Sequence, residues 1–359
     1  MGIDVSIKKN YGDFKLDVSF ESSSRRIGIL GASGCGKSLT LKSIAGLIRP
    51  DEGRITVENR VLFDKDLRID IKPGKRRTGY LFQEYALFPN MTVEENIAAA
   101  LHGRKSSKGS GNRAGNAKNA EHIKILTTEE ILKNFGLWGI RHHRPHELSG
   151  GQQQRTALAR MLATDPSLLL LDEPFSAMDS FLREGLRLEL IRILDMYNKT
   201  VILVSHDRDE IYQMCDHLVL MDNGKVIGTG DIHELFRNPK TVAAARLTGC
   251  KNISRIEKMT EHRVKALDWD GIELVTGAKV IDKIKYIGIR AHDFIPGEHG
   301  VNAISCEHAA VSGLPFEWYI TLENGLWWKL GKELYDIYDE GMLPQNISID
   351  PDRILLLAE

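Results

Sequence analysis

The sequence predicts an α/β fold followed by a smaller β-rich unit, on three observations. A compact apolar run, Arg26-Ile27-Gly28-Ile29-Leu30, stops at Gly31-Ala32-Ser33-Gly34. It gives way to Leu41, Ile44, Ala45 and Ile48 at helical spacing, which reads as strand, glycine loop and helix. Two further runs, residues 168–171 and 200–204, are apolar almost throughout and flank a helical stripe of Leu182, Leu186, Leu190, Ile193 and Leu194. That is the pattern of a parallel sheet buried on both faces. From Cys250 onward, short β-like segments separated by Gly and Asn take over, the clearest being a hairpin of residues 316–322 and 326–330 around Asn324-Gly325.

The remaining elements follow in order. Short strands and turns precede the glycine loop. The helix after it breaks at Arg49-Pro50-Asp51, and a hairpin-like pair over 54–57 and 61–63 leads to a strand at Tyr80-Leu81-Phe82. Helical patterns dominate from about 92 to 162, so a helical block interrupts the α/β domain. Inside it, residues 104–119 are rich in Gly, Ser, Asn, Lys and Arg and hold no large apolar side chain. Such a segment cannot bury enough surface to offset its ordering entropy and is expected to be a mobile surface insertion. Residues 218–221 and 226–228 flank Asn223-Gly224, a hairpin signal. The pattern changes around Asn238-Pro239, which predicts a first domain over 1–236, a linker over 237–250 and a second domain over 251–359.

Composition limits the function classes. The chain has 359 residues, 42% of them hydrophobic, enough for more than one packed core. Lys plus Arg is 48 against 49 Asp plus Glu, a net charge of −1, so no whole-chain attraction to nucleic acid is expected. Cys35, Cys215, Cys250 and Cys306 lie far apart without a CxxC pair, which argues against a disulfide scaffold or a Cys-based zinc site and fits a reducing compartment. Neither a secretion signal nor a membrane span is expected, so service to a membrane would run through a partner.

Three motifs carry chemistry. Gly31-Ala32-Ser33-Gly34-Cys35-Gly36-Lys37-Ser38 matches G-x-x-x-x-G-K-[ST] between strand and helix, as a polyphosphate cradle requires. The glycines let backbone N–H groups converge at a helix N-terminus, Lys37 reaches the β- and γ-phosphates, and the Ser38 hydroxyl suits Mg²⁺. Cys35 reads as a small filler. Leu168-Leu169-Leu170-Leu171-Asp172-Glu173 supplies a carboxylate, Asp172, able to hold Mg²⁺ through water, and a neighbour, Glu173, able to polarise the attacking water. Leu148-Ser149-Gly150-Gly151-Gln152 opens a second helix with an anion-seeking N-terminus, which calls for a second nucleotide or another subunit's nucleotide.

In this order the segments resemble the ATP-binding-cassette ATPases, whose signature is LSGGQ, over roughly residues 1–240. Gln83 after a strand matches the glutamine loop, Ser176-Ala177-Met178-Asp179 the D-loop with Met in place of the usual Leu, and His206 the switch histidine. The resemblance implies an α/β P-loop cassette with a helical signature subdomain, followed by a small C-terminal β-barrel-like regulatory domain. It implies a head-to-tail homodimer hydrolysing ATP with Mg²⁺. Each ATP would lie between the Gly31 to Ser38 loop of one subunit and Ser149, Gly150, Gly151, Gln152 and Asp179 of the other. Carried over residue by residue, Lys37, Gln83, Glu173 and His206 are catalytic, and Ser38, Gln83 and Asp172 attend the metal. An aromatic residue before the phosphate loop stacks adenine, with Tyr11 the choice and Phe14 the fallback.

One phosphate loop, one signature and a short insertion fit neither the repair nor the translation branch of the family, leaving a soluble cassette acting on nucleic acid or ribosomes as the opposing reading. A single cassette with a C-terminal extension resembles the ATPases of bacterial binding-protein-dependent importers. That resemblance implies a peripheral position on the cytoplasmic face of the membrane, two integral-membrane permease subunits and an extracytoplasmic solute-binding protein. Tyr85-Ala86-Leu87-Phe88-Pro89 offers apolar anchors for a permease helix, or packs a subdomain interface. Residues 244–252, the segment 287–294 and Pro315-Phe316-Glu317 are most similar to the molybdate-importer ATPases, so molybdate or tungstate is the expected cargo, with sulfate or another solute as alternatives. Lys283, Lys285, Arg290 and His292 form either a regulatory oxyanion site or a solvated face with a structural Arg.

Overall fold

The apolar runs of the sequence become the central strands of a mixed sheet. The computed structural model describes residues 2–107, 127–176, 180–196, 199–297, 301–335 and 343–359. The chain divides into two units, Met1–Gly230 and Asp231–Glu359.

In the first unit the strands are β1 (Ile3–Tyr11), β2 (Phe14–Ser22), β3 (Arg26–Gly31), β4 (Glu52–Val57), β5 (Arg60–Asp64), β6 (Ile69–Asp70), β7 (Thr78–Leu81), β8 (Leu168–Asp172), β9 (Thr200–Ser205), β10 (His217–Asp222) and β11 (Lys225–Asp231). They form one sheet in the order β6-β5-β4-β1-β2-β11-β10-β3-β9-β8-β7. The first limb is antiparallel and alternates: Ile3, Val5 and Ile7 of β1 point into the core while their neighbours face out. The second limb is parallel, β3 lying between β10 and β9 and β8 between β9 and β7. Here alternation disappears, and Leu168 through Leu171 are all fully buried because both faces of the sheet are covered.

The helices are α1 (Lys37–Ala45), α2 (Pro73–Arg76), α3 (Val93–Ser107), α4 (Thr128–Asn134), α5 (Gly150–Ala163), α6 (Ser180–Met196) and α7 (Arg208–Met214). The C-terminal end of α1 is closed by Arg76, whose buried guanidinium donates to the carbonyls of Ser43 and Ile44 at 2.9 and 2.8 Å, a cation at the negative end of the helix dipole. The block α3, α4 and α5 has a core of its own in Val93, Ile97, Ile131, Leu132, Leu137, Leu148, Ala159 and Ala163. Of the insertion expected at 104–119, residues 104–107 belong to the end of α3, and residues 108–119 lie outside the described residues.

The second unit opens with α8 (Ile232–Arg237) and α9 (Val242–Leu247). Three antiparallel sheets follow, built from β12 (Asn252–Lys258), β13 (Arg263–Ala266), β14 (Ile272–Val275), β15 (Tyr286–Ile289), β16 (Ile295–Pro296), β17 (Ala303–Ser305), β18 (Ala310–Gly313), β19 (Glu317–Thr321), β20 (Trp327–Gly331), β21 (Asn346–Ser348) and β22 (Leu355–Leu357), with α10 (Lys332–Tyr335) after β20. Their orders are β14-β13-β12-β15-β22, β16-β21-β17 and β18-β19-β20. One core, including Val264, Ile287, Ile289, Trp328 and Ile347, joins the sheets. The segment 237–250, expected as a linker, instead belongs to this unit. Thr241 caps α9, Ala245 and Cys250 pack with Leu355 and Leu357, and Thr241 bridges Ala358. The Ala and Val content that reads as featureless in sequence is the packing face of a short helix.

Candidate functional site

Parallel pairing fixes where the motifs end. Leu30 pairs with Ser205, Val204 with Asp172, and Leu171 with Leu81, so the segments following β3, β9, β8 and β7 leave the same edge of the sheet. These are the carboxyl ends of adjacent parallel strands, where ligands bind in open α/β sheets.

The phosphate loop is shaped by steric necessity at two glycines. A Cβ on Gly31 would meet the Met221 carbonyl oxygen at 2.3 Å, and one on Gly36, whose φ is +104°, would meet Leu16 Cδ1 at 2.7 Å. Gly36 is the N-cap of α1, so the loop hands its amides directly to a helix N-terminus. Lys37 is 4% exposed, and its Nζ donates to the carbonyls of Gly31 and Ala32 at 2.8 and 2.9 Å, which draws the ammonium into the curve of the loop. Burial raises the Cys35 thiol above its ordinary range, in keeping with a small packing residue.

Facing the loop, Ser38 Oγ donates to Asp172 Oδ1 at 2.7 Å. A hydroxyl and a carboxylate in contact are the hard oxygen donors that Mg²⁺ prefers, with phosphates and water filling an octahedron. The residues present therefore fit the metal. Glu173 sits beyond the strand end at φ +46°, a left-handed conformation that costs a non-glycine residue about 1–2 kcal/mol. Its N–H is held by the Val204 carbonyl at 3.0 Å, and its own carbonyl accepts from Ser176. That turn brings Glu173 Oε2 within 3.3 Å of His206 Nδ1, the His206 side chain being 55% exposed. Behind His206, the buried Glu210 accepts from Ser205 Oγ at 2.6 Å, and burial raises its carboxyl above the usual range.

Gln83 is exposed just after β7. The loop continues through Tyr85 and Ala86, both at positive φ, and is clasped from α5. Arg160 donates to the carbonyls of Tyr85 and Ala86 at 3.3 and 2.8 Å, and its guanidinium lies 5.0 Å from the Phe88 ring centre. Of the expected apolar anchors, Tyr85 is buried and Phe88 is 48% exposed beside a groove of about 330 Å³ lined by Tyr80, Tyr85, Phe88, Ala99, Ala100 and Met161 among others.

Ser149 caps α5 through a reciprocal box with Gln152, Ser149 N–H donating to Gln152 Oε1 at 2.9 Å and Gln152 N–H to Ser149 Oγ at 3.4 Å. Gly150 has open space where a Cβ would stand, whereas Gly151 is packed on Leu186. Tyr11 is 40% exposed at the end of β1, and Phe14 lies beside Gly36. Asp179, the expected D-loop residue, lies outside the described residues. In the second unit, Arg290 donates to the backbone carbonyls of Thr248 and Phe236, a tie between α8 and α9, while Lys283, Lys285 and His292 are exposed. The guanidinium thus serves the fold. Two residues of the site escaped the sequence reading, Tyr80 and Arg160. Tyr80 OH donates to Asp172 Oδ2 at 2.7 Å, and neither its strand position nor Arg160's place on a helix signals such a contact.

The ABC transporter family model matches residues 15–176. The chain is 37% identical over 251 residues to the sulfate/thiosulfate import ATP-binding protein CysA of Synechocystis sp., covering 69% of this chain and 65% of that protein, just under two thirds of its length. It is 35% identical over 295 residues to the molybdate/tungstate import ATP-binding protein WtpC of Pyrococcus abyssi, covering 81% and 78%. It is 38% identical over 234 residues to the Fe(3+) ions import ATP-binding protein FbpC of Haemophilus influenzae, covering 65% and 62%. Among solved structures, a dimer of the ATP-binding cassette MJ0796 in a post-hydrolysis state bound to ADP and Pi superposes with a TM-score of 0.50 at 30% identity, over 65% of this chain and 99% of that one.

Proposed function

The chain belongs to the ABC transporter family, as an ATP-hydrolysing subunit of importer type, and we propose that it energises uptake of a tetrahedral oxyanion, with molybdate or tungstate the first cargo to test. One observation carries the oxyanion class. The match to the molybdate/tungstate protein over 295 residues, like those to sulfate/thiosulfate proteins over 313, is longer than the first unit and reaches well into the second, whereas the 234-residue match to the iron protein is about one cassette long, as is a 237-residue match to a molybdenum import protein. Sulfate is the second reading, favoured by the sulfate/thiosulfate relative.

The proposed chemistry is ATP + H₂O to ADP + phosphate, achieved by charge placement. The loop amides and Lys37 hold the β- and γ-phosphates. Ser38, Asp172 and Gln83 would hold Mg²⁺, which would supply positive charge against the transferring phosphoryl group. Glu173, turned toward His206 by its left-handed backbone, orients the attacking water and takes up its proton, while His206 donates to a γ-phosphate oxygen. Tyr11 stacks adenine, and Phe14 supports the loop behind it. The N–H groups of Gly150 and Gly151, together with Asp179, address the γ-phosphate bound by a second copy, making the active unit a head-to-tail homodimer. The groove beside Phe88 receives an apolar helix from the permease pair on the cytoplasmic face, and an extracytoplasmic binding protein delivers the solute.

The test is ATPase activity of the subunit copurified with its membrane partners in liposomes, titrated with molybdate, tungstate, sulfate and ferric ion together with the binding protein. Stimulation by molybdate or tungstate supports the cargo. Stimulation by ferric ion alone overturns the oxyanion class.

A further inference from the structure

We propose that Tyr80 is a positioning residue for the metal site, its hydroxyl holding the Asp172 carboxylate in the rotation that presents Oδ1 to Ser38. The inference rests on reading Ser38 and Asp172 as the Mg²⁺ pair. A carboxylate at the end of a strand turns easily about its terminal torsion, which has only a broad preference. Here both oxygens are tied: Ser38 Oγ donates to Oδ1 and Tyr80 OH donates to Oδ2, each at 2.7 Å, and Asp172 is 6% exposed. When the serine hydroxyl turns to the metal, the tyrosine bond still ties the second carboxylate oxygen and holds its plane. The geometry supports that task. Tyr80 pairs with Leu170 across β7 and β8, so its backbone cannot drift relative to Asp172, and its ring packs on Phe82 at 4.5 Å between centroids.

Partners of metal ligands typically change metal affinity by about 10- to 100-fold when removed. The experiment uses the full chain and Mn²⁺ in place of Mg²⁺, read by the electron paramagnetic resonance signal of the free ion in the presence of ATP. Tyr80→Phe keeps the ring contact and deletes only the hydroxyl. It is expected to weaken Mn²⁺ binding about 10-fold while leaving metal-free ATP affinity unchanged and the native fold intact. Phe82→Leu, which removes the ring partner and keeps the hydroxyl, is expected to retain Mn²⁺ affinity. Wild-type Mn²⁺ affinity in Tyr80→Phe overturns the proposal, as does an equal loss in both variants, which would assign the effect to packing. Asp172→Asn separates this from the underlying reading: if it too binds Mn²⁺ normally, the metal assignment fails and the role of Tyr80 with it.

Discussion

Replacing Arg160 by Met would remove a guanidinium while keeping an apolar stem of similar length. In the native fold this group supplies one well-formed hydrogen bond, 2.8 Å to the Ala86 carbonyl, and two long ones, 3.3 Å to Tyr85 and 3.4 Å to Asn96. A hydrogen bond from a charged donor contributes about 1.5–3 kcal/mol, so the short bond alone accounts for ~2 kcal/mol and the long ones for little more. Opposing it, Tyr85 and Ala86 stand in left-handed conformations at φ +56° and +46°, each costing about 1–2 kcal/mol. Without the clasp the loop is expected to relax toward unstrained backbone, its open population rising ~30-fold for 2 kcal/mol at 1.4 kcal/mol per decade. The amides of Tyr85 and Ala86 bond to the carbonyls of Phe82 and Glu84 at 2.9 and 2.6 Å, so native-state hydrogen exchange reads this opening directly. Their protection is expected to fall by about 30-fold, while β8 amides keep theirs. If exchange at residues 82–88 matched the wild type, the idea that α5 holds the glutamine loop against backbone strain would be wrong.

Three further outcomes are expected. Glu173→Gln should bind ATP normally and lose turnover by ~100-fold or more, whereas Lys37→Ala should weaken ATP binding itself; rapid hydrolysis by purified Glu173→Gln would remove Glu173 from its proposed role. Asn252 is buried and exchanges two hydrogen bonds with the Trp327 backbone, at 2.8 and 2.7 Å, so Asn252→Ala should lower the unfolding free energy of the second unit by about 2–4 kcal/mol in urea titrations. Burial pushes the Cys250 and Cys306 thiols from 9.0 up to about 11. Because the unfolded thiols ionise first, the stability linked to them is complete below pH 9 and is lost as pH rises toward 11. Urea midpoints should fall over that window, and replacing both cysteines by Ala should flatten the fall.

Cassette chemistry was legible because its motifs are local. A glycine loop between strand and helix, an N-cap serine three residues before Gln152 and acids at the end of an apolar strand each carry their physical reason within a few residues. Fold class was equally legible, since uninterrupted leucines over 168–171 admit a sheet covered on both faces and little else. What the chain order conceals is adjacency. β7, β8, β9 and β3 are neighbours in the sheet although residues 26–31, 78–81, 168–172 and 200–205 are scattered along the sequence. Only that order brings Glu173 to His206 and Ser38 to Asp172. Tyr80 and Arg160 were missed for the same reason, their work being contacts across 92 and 74 residues. Segment 237–250 was misread as a linker because a six-residue helix reveals its inner face only when packed against residues more than a hundred positions later. Hydrogen-bonding capacity and hydrophobicity are written residue by residue, but which groups meet is settled by the pairing and packing that bury them together.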